Sequence, residues 1–313
     1  MGAFLMPAVR SKSKRIVTGR QIELPVAEEA NNFARPFVKW AGGKTQLLPQ
    51  LSCFYPPKGS VERYIEPFLG SGAVFFHVKA RVEPRQALLW DNNEELIHTF
   101  VAVRDDVEKV IRRLQTHERK HGKDYFLSMR TRVRKKLPDI AARLIYLNKT
   151  CFNGLYRVNS KGEFNVPFGR YPKPSILNEE GLRRASEALS GAQVEAKSFL
   201  KLLLKARKGD FIYFDPPYHP RSATSYFTSY TKDSFSEEDQ RDLAEVYRLL
   251  DERGCQLMLS NSDTPLIREL YKDFHIREVS ARRLINSKAD RRGAISELVV
   301  LNRKLLEAHR GRA

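Results

Sequence analysis

Residues 211–218 read Phe211-Ile212-Tyr213-Phe214-Asp215-Pro216-Pro217-Tyr218. The first four are a short aromatic and β-branched run introduced by the turn pair Gly209 and Asp210, the pattern of a buried strand. The proline pair stops the run directly after Asp215, so a carboxylate and an aromatic ring stand at the strand's carboxyl end. Ligands of open α/β sheets bind in the crevice at those ends. The octapeptide therefore predicts an α/β sheet whose chemistry sits where its strands stop.

Asp215, Pro216, Pro217 and Tyr218 together suit an exocyclic amino group on a planar ring. The lone pair of such an amine is conjugated into the ring, which makes it a poor nucleophile. A carboxylate and a backbone carbonyl from the proline pair can accept its two N–H bonds and localise electron density on nitrogen as a methyl group arrives. Proline has no N–H and so offers a carbonyl alone. Tyr218 can stack on a base that has left the duplex, a contact worth roughly 1 to 3 kcal/mol. Asp and Pro are also ordinary turn residues, so a plain strand end fits the tetrapeptide taken alone.

Composition narrows the partner. The chain has 313 residues, 42% hydrophobic and 29% charged, enough for one large or two modest domains with a real core. Its 55 Lys and Arg against 37 Asp and Glu leave +18, which favours a polyanion such as nucleic acid over neutral ligands. An acidic membrane surface is the competing partner, but no stretch approaches the ~18 consecutive apolar residues of a spanning helix. Cys53, Cys151 and Cys255 are far apart and show no metal-ligand spacing, which predicts reduced thiols in an intracellular protein without a metal. Residues 1–32 carry Arg10, Lys12, Lys14, Arg15 and Arg20 ahead of any acid and no sustained apolar period, the pattern of a flexible basic extension.

Two glycine segments precede the catalytic strand. Phe37-Val38-Lys39-Trp40-Ala41-Gly42-Gly43-Lys44-Thr45 ends in Gly-Lys-Thr, but Val38 stands where a phosphate loop needs its first glycine. The segment instead predicts a strand-like start, a tight glycine turn and an amphipathic helix carrying Leu47 and Leu48. Tyr64-Ile65-Glu66-Pro67-Phe68-Leu69-Gly70-Ser71-Gly72 runs from strand to glycine turn to the apolar helix start Ala73-Val74-Phe75-Phe76. Phe75 replaces the third glycine of a dinucleotide fingerprint, yet a second strand, Ala87 to Trp90, ends in Asp91 where such folds hold a ribose hydroxyl pair.

Taken in order, these segments resemble the DNA adenine-N6 methyltransferases of the group that inserts its recognition domain before the catalytic motif. Lys39 to Lys44, Glu66 to Gly72, Asp91, and Asp215 to Tyr218 each match a family motif. The resemblance implies a Rossmann-like methyltransferase sheet over residues 33–104 and 191–313, with a helical target-recognition subdomain at 105–190. It also implies S-adenosyl-L-methionine as cofactor. Trp40, Gly43, Lys44, Glu66, Pro67, Phe68, Asp91 and Asp215 would contact it, with the Gly70 and Gly72 loop beside its methionine end.

The insert is dense in cations, with Arg130, Arg132, Arg134, Lys135 and Lys136 ahead of Pro138 and a helix carrying Ile140, Leu144 and Leu147. A solvated helix face explains such a run as simply as a recognition surface does. Beyond it, two strand-like arms around Asn159-Ser160-Lys161-Gly162 predict a β-hairpin able to enter a major groove and present arginine to guanine. This stretch resembles the hairpin of the GATC-specific adenine methyltransferases. On that resemblance Arg157 reads guanine, Leu155, Asn159 and Pro167 touch other base edges, Phe152 sits near the orphaned partner, and Lys39 and Tyr171 assist. The chain departs from the family at Ser198, where an acidic residue often stands beside Phe199.

Arg221 to Lys232 predicts a mobile loop, Gln256 to Ser260 and Ser296 to Asn302 further strands, and Arg282, Arg283, Arg291 and Arg292 a phosphate clamp. The expected reaction is methyl transfer to adenine N6 in duplex DNA, by a cytoplasmic monomer acting alone or beside a restriction nuclease. Cytosine-C5 chemistry needs a thiolate, usually in a Pro-Cys pair, whereas Ser52, Thr150 and Gly254 precede the three cysteines. Cytosine-N4 methylation, RNA as substrate and a catalytically silent DNA-binding protein of the same fold are the alternatives.

Overall fold

The computed structural model of the chain describes residues 33–221, 235–282 and 294–310. The expected extension 1–32, the expected loop beyond Arg221, and Arg283, Arg291 and Arg292 of the expected clamp lie outside the described residues.

Strands β1 (Arg63–Glu66), β2 (Gln86–Asp91), β3 (Gln193–Ala196), β4 (Phe211–Phe214), β5 (Gln256–Ser262), β6 (His275–Arg282) and β7 (Ala294–Leu301) form one sheet in the order β3-β2-β1-β4-β5-β7-β6. The first five in that order are parallel, and β7 is antiparallel to both β5 and β6. The chain steps outward from β1 to β2 and β3, then returns to β4 on the other side of β1, with Tyr64 opposite Phe211 and Ile65 opposite Ile212. Neighbouring strands that diverge in this way open a crevice at their carboxyl ends. This is a Rossmann-like α/β sheet with an antiparallel pair at one edge.

The strands are apolar without interruption because both faces are covered, and successive side chains feed opposite cores. Tyr64, Leu89, Phe211, Tyr213, Met258 and Val299 enter one core, while Ile65, Trp90, Ile212, Phe214, Leu259 and Leu298 enter the other. Helices α1 (Leu48–Leu51), α2 (Ala73–Arg81), α3 (Glu94–Arg119), α4 (Lys123–Thr131), α5 (Leu137–Thr150), α6 (Glu179–Leu189), α7 (Leu202–Lys205), α8 (Glu237–Glu252), α9 (Pro265–Leu270) and α10 (Arg303–Arg310) surround it. Two of their starts carry clear side-chain caps: the Asn93 side chain accepts from Leu96 N–H, and Ser236 and Asp239 form a reciprocal capping box.

The helix α3 breaks at Asp106, with φ −138° and ψ 37°, one residue inside the expected insert. The apolar residues of α4 and α5, among them Phe126, Met129, Leu144 and Ile145, join the core over one sheet face rather than forming a separate one. Buried Arg143 ties this region down, pairing with Glu95 at 2.7 Å and donating to the Met129 and Arg130 carbonyls.

Two local expectations change. Phe37 to Trp40 form no strand; no strand edge meets them, and Phe37 instead packs on Phe76 and Phe100. The helix after Lys44 is a single turn, Leu48–Leu51, followed by a 3₁₀ turn at Ser52–Phe54. The hairpin is present but loosely laddered. Its arms meet at two isolated bridges, Cys151 with Phe168 and Val158 with Phe164, because a 3₁₀ turn at Phe152–Gly154 interrupts the first arm.

Candidate active site

Three strand ends and one glycine turn converge. Glu66 closes β1, is 2% exposed, and accepts a 2.6 Å bond from the Tyr64 hydroxyl. Burial pushes its carboxyl well above the usual range, and the neighbouring Asp215 and Asp91 charges add to that push. Asp91 closes β2 and accepts from the Gly70 and Asn93 amides, each at 3.0 Å, so the glycine loop is hung from the next strand's acid. Burial raises Asp91 while these amides pull it back.

Asp215 follows β4. The Lys44 ammonium, 4% exposed, lies 2.7 Å from Asp215 Oδ1 and engages that oxygen in an ion pair. Lys44 reaches this point because Gly42 adopts φ +77° and its carbonyl accepts a 2.6 Å bond from the same ammonium. Burial raises the Asp215 carboxyl, Lys44 opposes the rise, and Glu297 adds to it. Asp215 and Lys44 thus form an ion pair in a largely dehydrated crevice, where the Asp215 and Asp91 charges also act on Glu66.

The tetrapeptide itself is held from below. Pro217 O accepts 2.9 Å from Gln240 Nε2 of α8, and Gln240 Oε1 accepts 3.0 Å from Asn261 Nδ2 of β5. Asn261 Oδ1 accepts from His219 N, and Ser262 Oγ donates to the His219 carbonyl. The Tyr218 hydroxyl donates 2.6 Å to Glu297 Oε2 of β7, and its ring lies 4.6 Å from the Lys44 ammonium. Gln240 and Glu297 were not legible as site residues. Neither carries a local motif, and only packing reveals them.

Residues 40–285 match the profile of the D12 class N6 adenine-specific DNA methyltransferases. The chain belongs to that family. It is 44% identical to type II methyltransferase M1.LlaDCHI of Lactococcus lactis subsp. cremoris over 86% of this chain and 95% of that one. It is 41% identical to type II methyltransferase M.MjaIII of Methanocaldococcus jannaschii, over 86% and 99%. It is 37% identical to the DNA adenine methylase of Escherichia coli K12, over 85% and 95%.

In this adenine-specific methyltransferase, the remaining predicted residues fall into two groups. Around the crevice, Trp40 touches the glycine loop so closely that a Cβ on Gly70 would lie 3.1 Å from its ring. The Gly43 amide donates to the Trp40 carbonyl, Pro67 and Gly72 are buried, and Phe68 stacks on Phe199 at 5.5 Å. Ser198 caps the 3₁₀ turn there, accepting from Leu200 N–H.

The second group lies on the hairpin. Phe152 is 52% exposed, Leu155 44% and Tyr171 36%, and Lys39, Arg157 and Pro167 are exposed as well. Arg157 is steered by its neighbour across the hairpin, donating to Asn165 Oδ1 at 2.7 Å and to Asn165 O at 3.3 Å. The Asn159 side chain instead builds the turn, accepting from the Lys161 and Glu163 amides and donating to Glu163 Oε2. Tyr171 accepts from the Asn153 amide. Asn148 ties Lys39 to the hairpin: it bonds both the amide and the carbonyl of Lys39, and its Nδ2 also donates to Gly154 O.

No described helix is long and apolar enough to cross a membrane, and no described group of three His, Cys, Asp or Glu could hold a metal ion.

Proposed function

We propose that the enzyme transfers a methyl group from S-adenosylmethionine to N6 of an adenine flipped out of duplex DNA, within a GATC site. The carrying observation is which acceptors of the tetrapeptide are engaged. The Pro217 carbonyl accepts from Gln240, and the Tyr218 hydroxyl donates to Glu297. On Asp215 only Oδ1 is engaged, by Lys44, so Oδ2 accepts no described bond, and the Pro216 carbonyl is the proline pair's remaining acceptor. Those two oxygens match the two N–H groups of an adenine amine.

The crevice fits the cofactor. The buried carboxyls of Glu66, Asp91 and Asp215 stand against one lysine, and a ligand bearing an ammonium and a sulfonium would favour their ionised forms. Asp91 is oriented by two amides and keeps lone pairs for a ribose hydroxyl pair. Trp40 and the Gly70 and Gly72 turn would enclose the methionine end. When bound, S-adenosylmethionine supplies the electrophilic methyl group.

The protein's own groups do the rest. Lys44 opposes the burial of Asp215 and favours the ionised carboxylate that must accept from the amine. Tyr218 offers its ring to the base, and Arg157, already aligned by Asn165, offers its fork to guanine in the major groove. The hairpin's exposed Phe152 and Leu155 are apolar surface suited to base edges and the vacated stack.

Base-resolved sequencing of DNA treated with purified enzyme and S-adenosylmethionine tests the reading. N6-methyladenine confined to GATC is expected; N4-methylcytosine, or adenine methylation without a common site, overturns it. Asp215→Ala should abolish transfer while DNA binding survives. Arg157→Ala should relax discrimination at one base pair by roughly 1 to 3 kcal/mol, whereas a uniform loss would make Arg157 a phosphate contact.

A further inference from the structure

The hydroxyl of Tyr218 has one described role, and it is not toward the crevice. It donates 2.6 Å to Glu297 Oε2, a short distance typical of a bond to a carboxylate. Stacking alone would need only a phenyl ring. Glu297 arrives from β7, paired with Ser262 of β5 and Val279 of β6. Because β7 runs antiparallel to β5, its early residues lie at the carboxyl ends of the parallel strands, so this strand can deliver a side chain to the crevice from the far side. One residue earlier, the Ser296 carbonyl accepts 2.9 Å from Arg221, three residues past Tyr218. The start of β7 therefore grips the catalytic segment at two points.

We infer that Glu297 is a positioning residue for methyl transfer: by holding the far end of the Tyr218 ring it fixes the platform on which the flipped base lands. This rests on the reading of Tyr218 as that platform. A ring anchored only at Cβ samples several χ1 wells, whereas one held also at its hydroxyl is confined to one. Ordering it in advance removes an entropic cost from base capture. Glu297 touches neither the amine nor the methyl group, but its charge also acts on Asp215, so Glu297→Gln, which removes the charge and keeps an acceptor, separates that effect from the hold on Tyr218.

Single-turnover methylation at saturating S-adenosylmethionine, together with fluorescence of 2-aminopurine at the target adenine, tests this. Glu297→Ala should slow transfer by about 10- to 100-fold, the range for a lost bond to a charged group, and should reduce the fluorescence rise. S-adenosylhomocysteine affinity should not change. Glu297→Gln keeps an acceptor at the same place and should restore most of the rate. In a Tyr218→Phe background, which should itself lose as much as Glu297→Ala, the Glu297→Ala change should add nothing. Equal losses in Glu297→Gln and Glu297→Ala, or full additivity with Tyr218→Phe, would overturn the inference. Tyr218→Ala with an undiminished fluorescence rise would instead remove the platform reading itself.

Discussion

The indole of Trp40 stacks on the ring of Tyr156, with centroids 4.9 Å apart and 28° between the planes. Trp40 belongs to the turn that carries Lys44 to Asp215, and Tyr156 immediately precedes Arg157 on the hairpin. One aromatic contact thus joins the crevice to the hairpin. The Tyr156 hydroxyl extends it, donating to Glu95 Oε2, while Glu95 Oε1 holds Arg143.

Tyr156→Ala should therefore weaken both DNA and cofactor binding. An aromatic pair of this kind is worth about 0.5 to 1.5 kcal/mol, or roughly two- to tenfold in affinity. Tyr156→Phe keeps the stack and should lose much less. Titrations of each ligand with and without the other check this: if only DNA binding falls, the stack is a local support of the hairpin and couples nothing.

Lys44 opposes the burial that raises the Asp215 carboxyl. Removing the cation in Lys44→Met should raise that carboxyl further, so ionised Asp215 appears only at higher pH. The acid limb of the single-turnover rate profile should move to higher pH than in the parent enzyme. The linkage has the corresponding sign for folding. A carboxyl raised in the native state binds its proton more tightly there than when unfolded, so its contribution to stability falls as pH rises through the interval between the two values. Lys44→Met should widen that interval, which pH-dependent denaturant melts can read.

At the opposite ends of the same strands, Arg63 and Asp210 form a buried bidentate pair, with Nε to Oδ1 at 3.0 Å and Nη2 to Oδ2 at 2.5 Å. Asp210 Oδ2 also accepts from Arg207 N–H, and Arg63 donates to the Lys205 carbonyl. Asp210→Ala would leave a buried guanidinium without its charge partner, a change that typically costs about 3 to 5 kcal/mol. The denaturant midpoint should fall accordingly. Activity per folded molecule should persist, because the pair stands at the amino ends of β1 and β4 and the chemistry at their carboxyl ends.

The catalytic strand was legible because a strand buried on both faces must be apolar throughout, and Phe211 to Phe214 leave no other reading of comparable simplicity. Asp91 was legible because a glycine turn and the acid that accepts from it lie a fixed distance apart along one βαβ unit. Local apolarity misled at Phe37 to Trp40. Those residues are partly buried as a strand's would be, but burial does not require a hydrogen-bonded neighbour, and none is present. Asn159 shows the converse, a residue whose side-chain oxygen builds the turn in addition to any role its composition suggests.

The amino-acid sequence by itself determined the sheet's class, the order of its motifs and the place of the Asp215 to Tyr218 tetrapeptide at a strand's end, because each is written in residues adjacent along the chain and follows from short-range periodicity and turn chemistry. Tertiary structure alone decided which tetrapeptide acceptors stay open and what fixes the rest. Lys44 pairs with Asp215 from far earlier in the chain, and Glu297 meets Tyr218 from 79 residues away because β7 enters antiparallel. Pairings of that kind depend on strand order and direction, which no local pattern encodes.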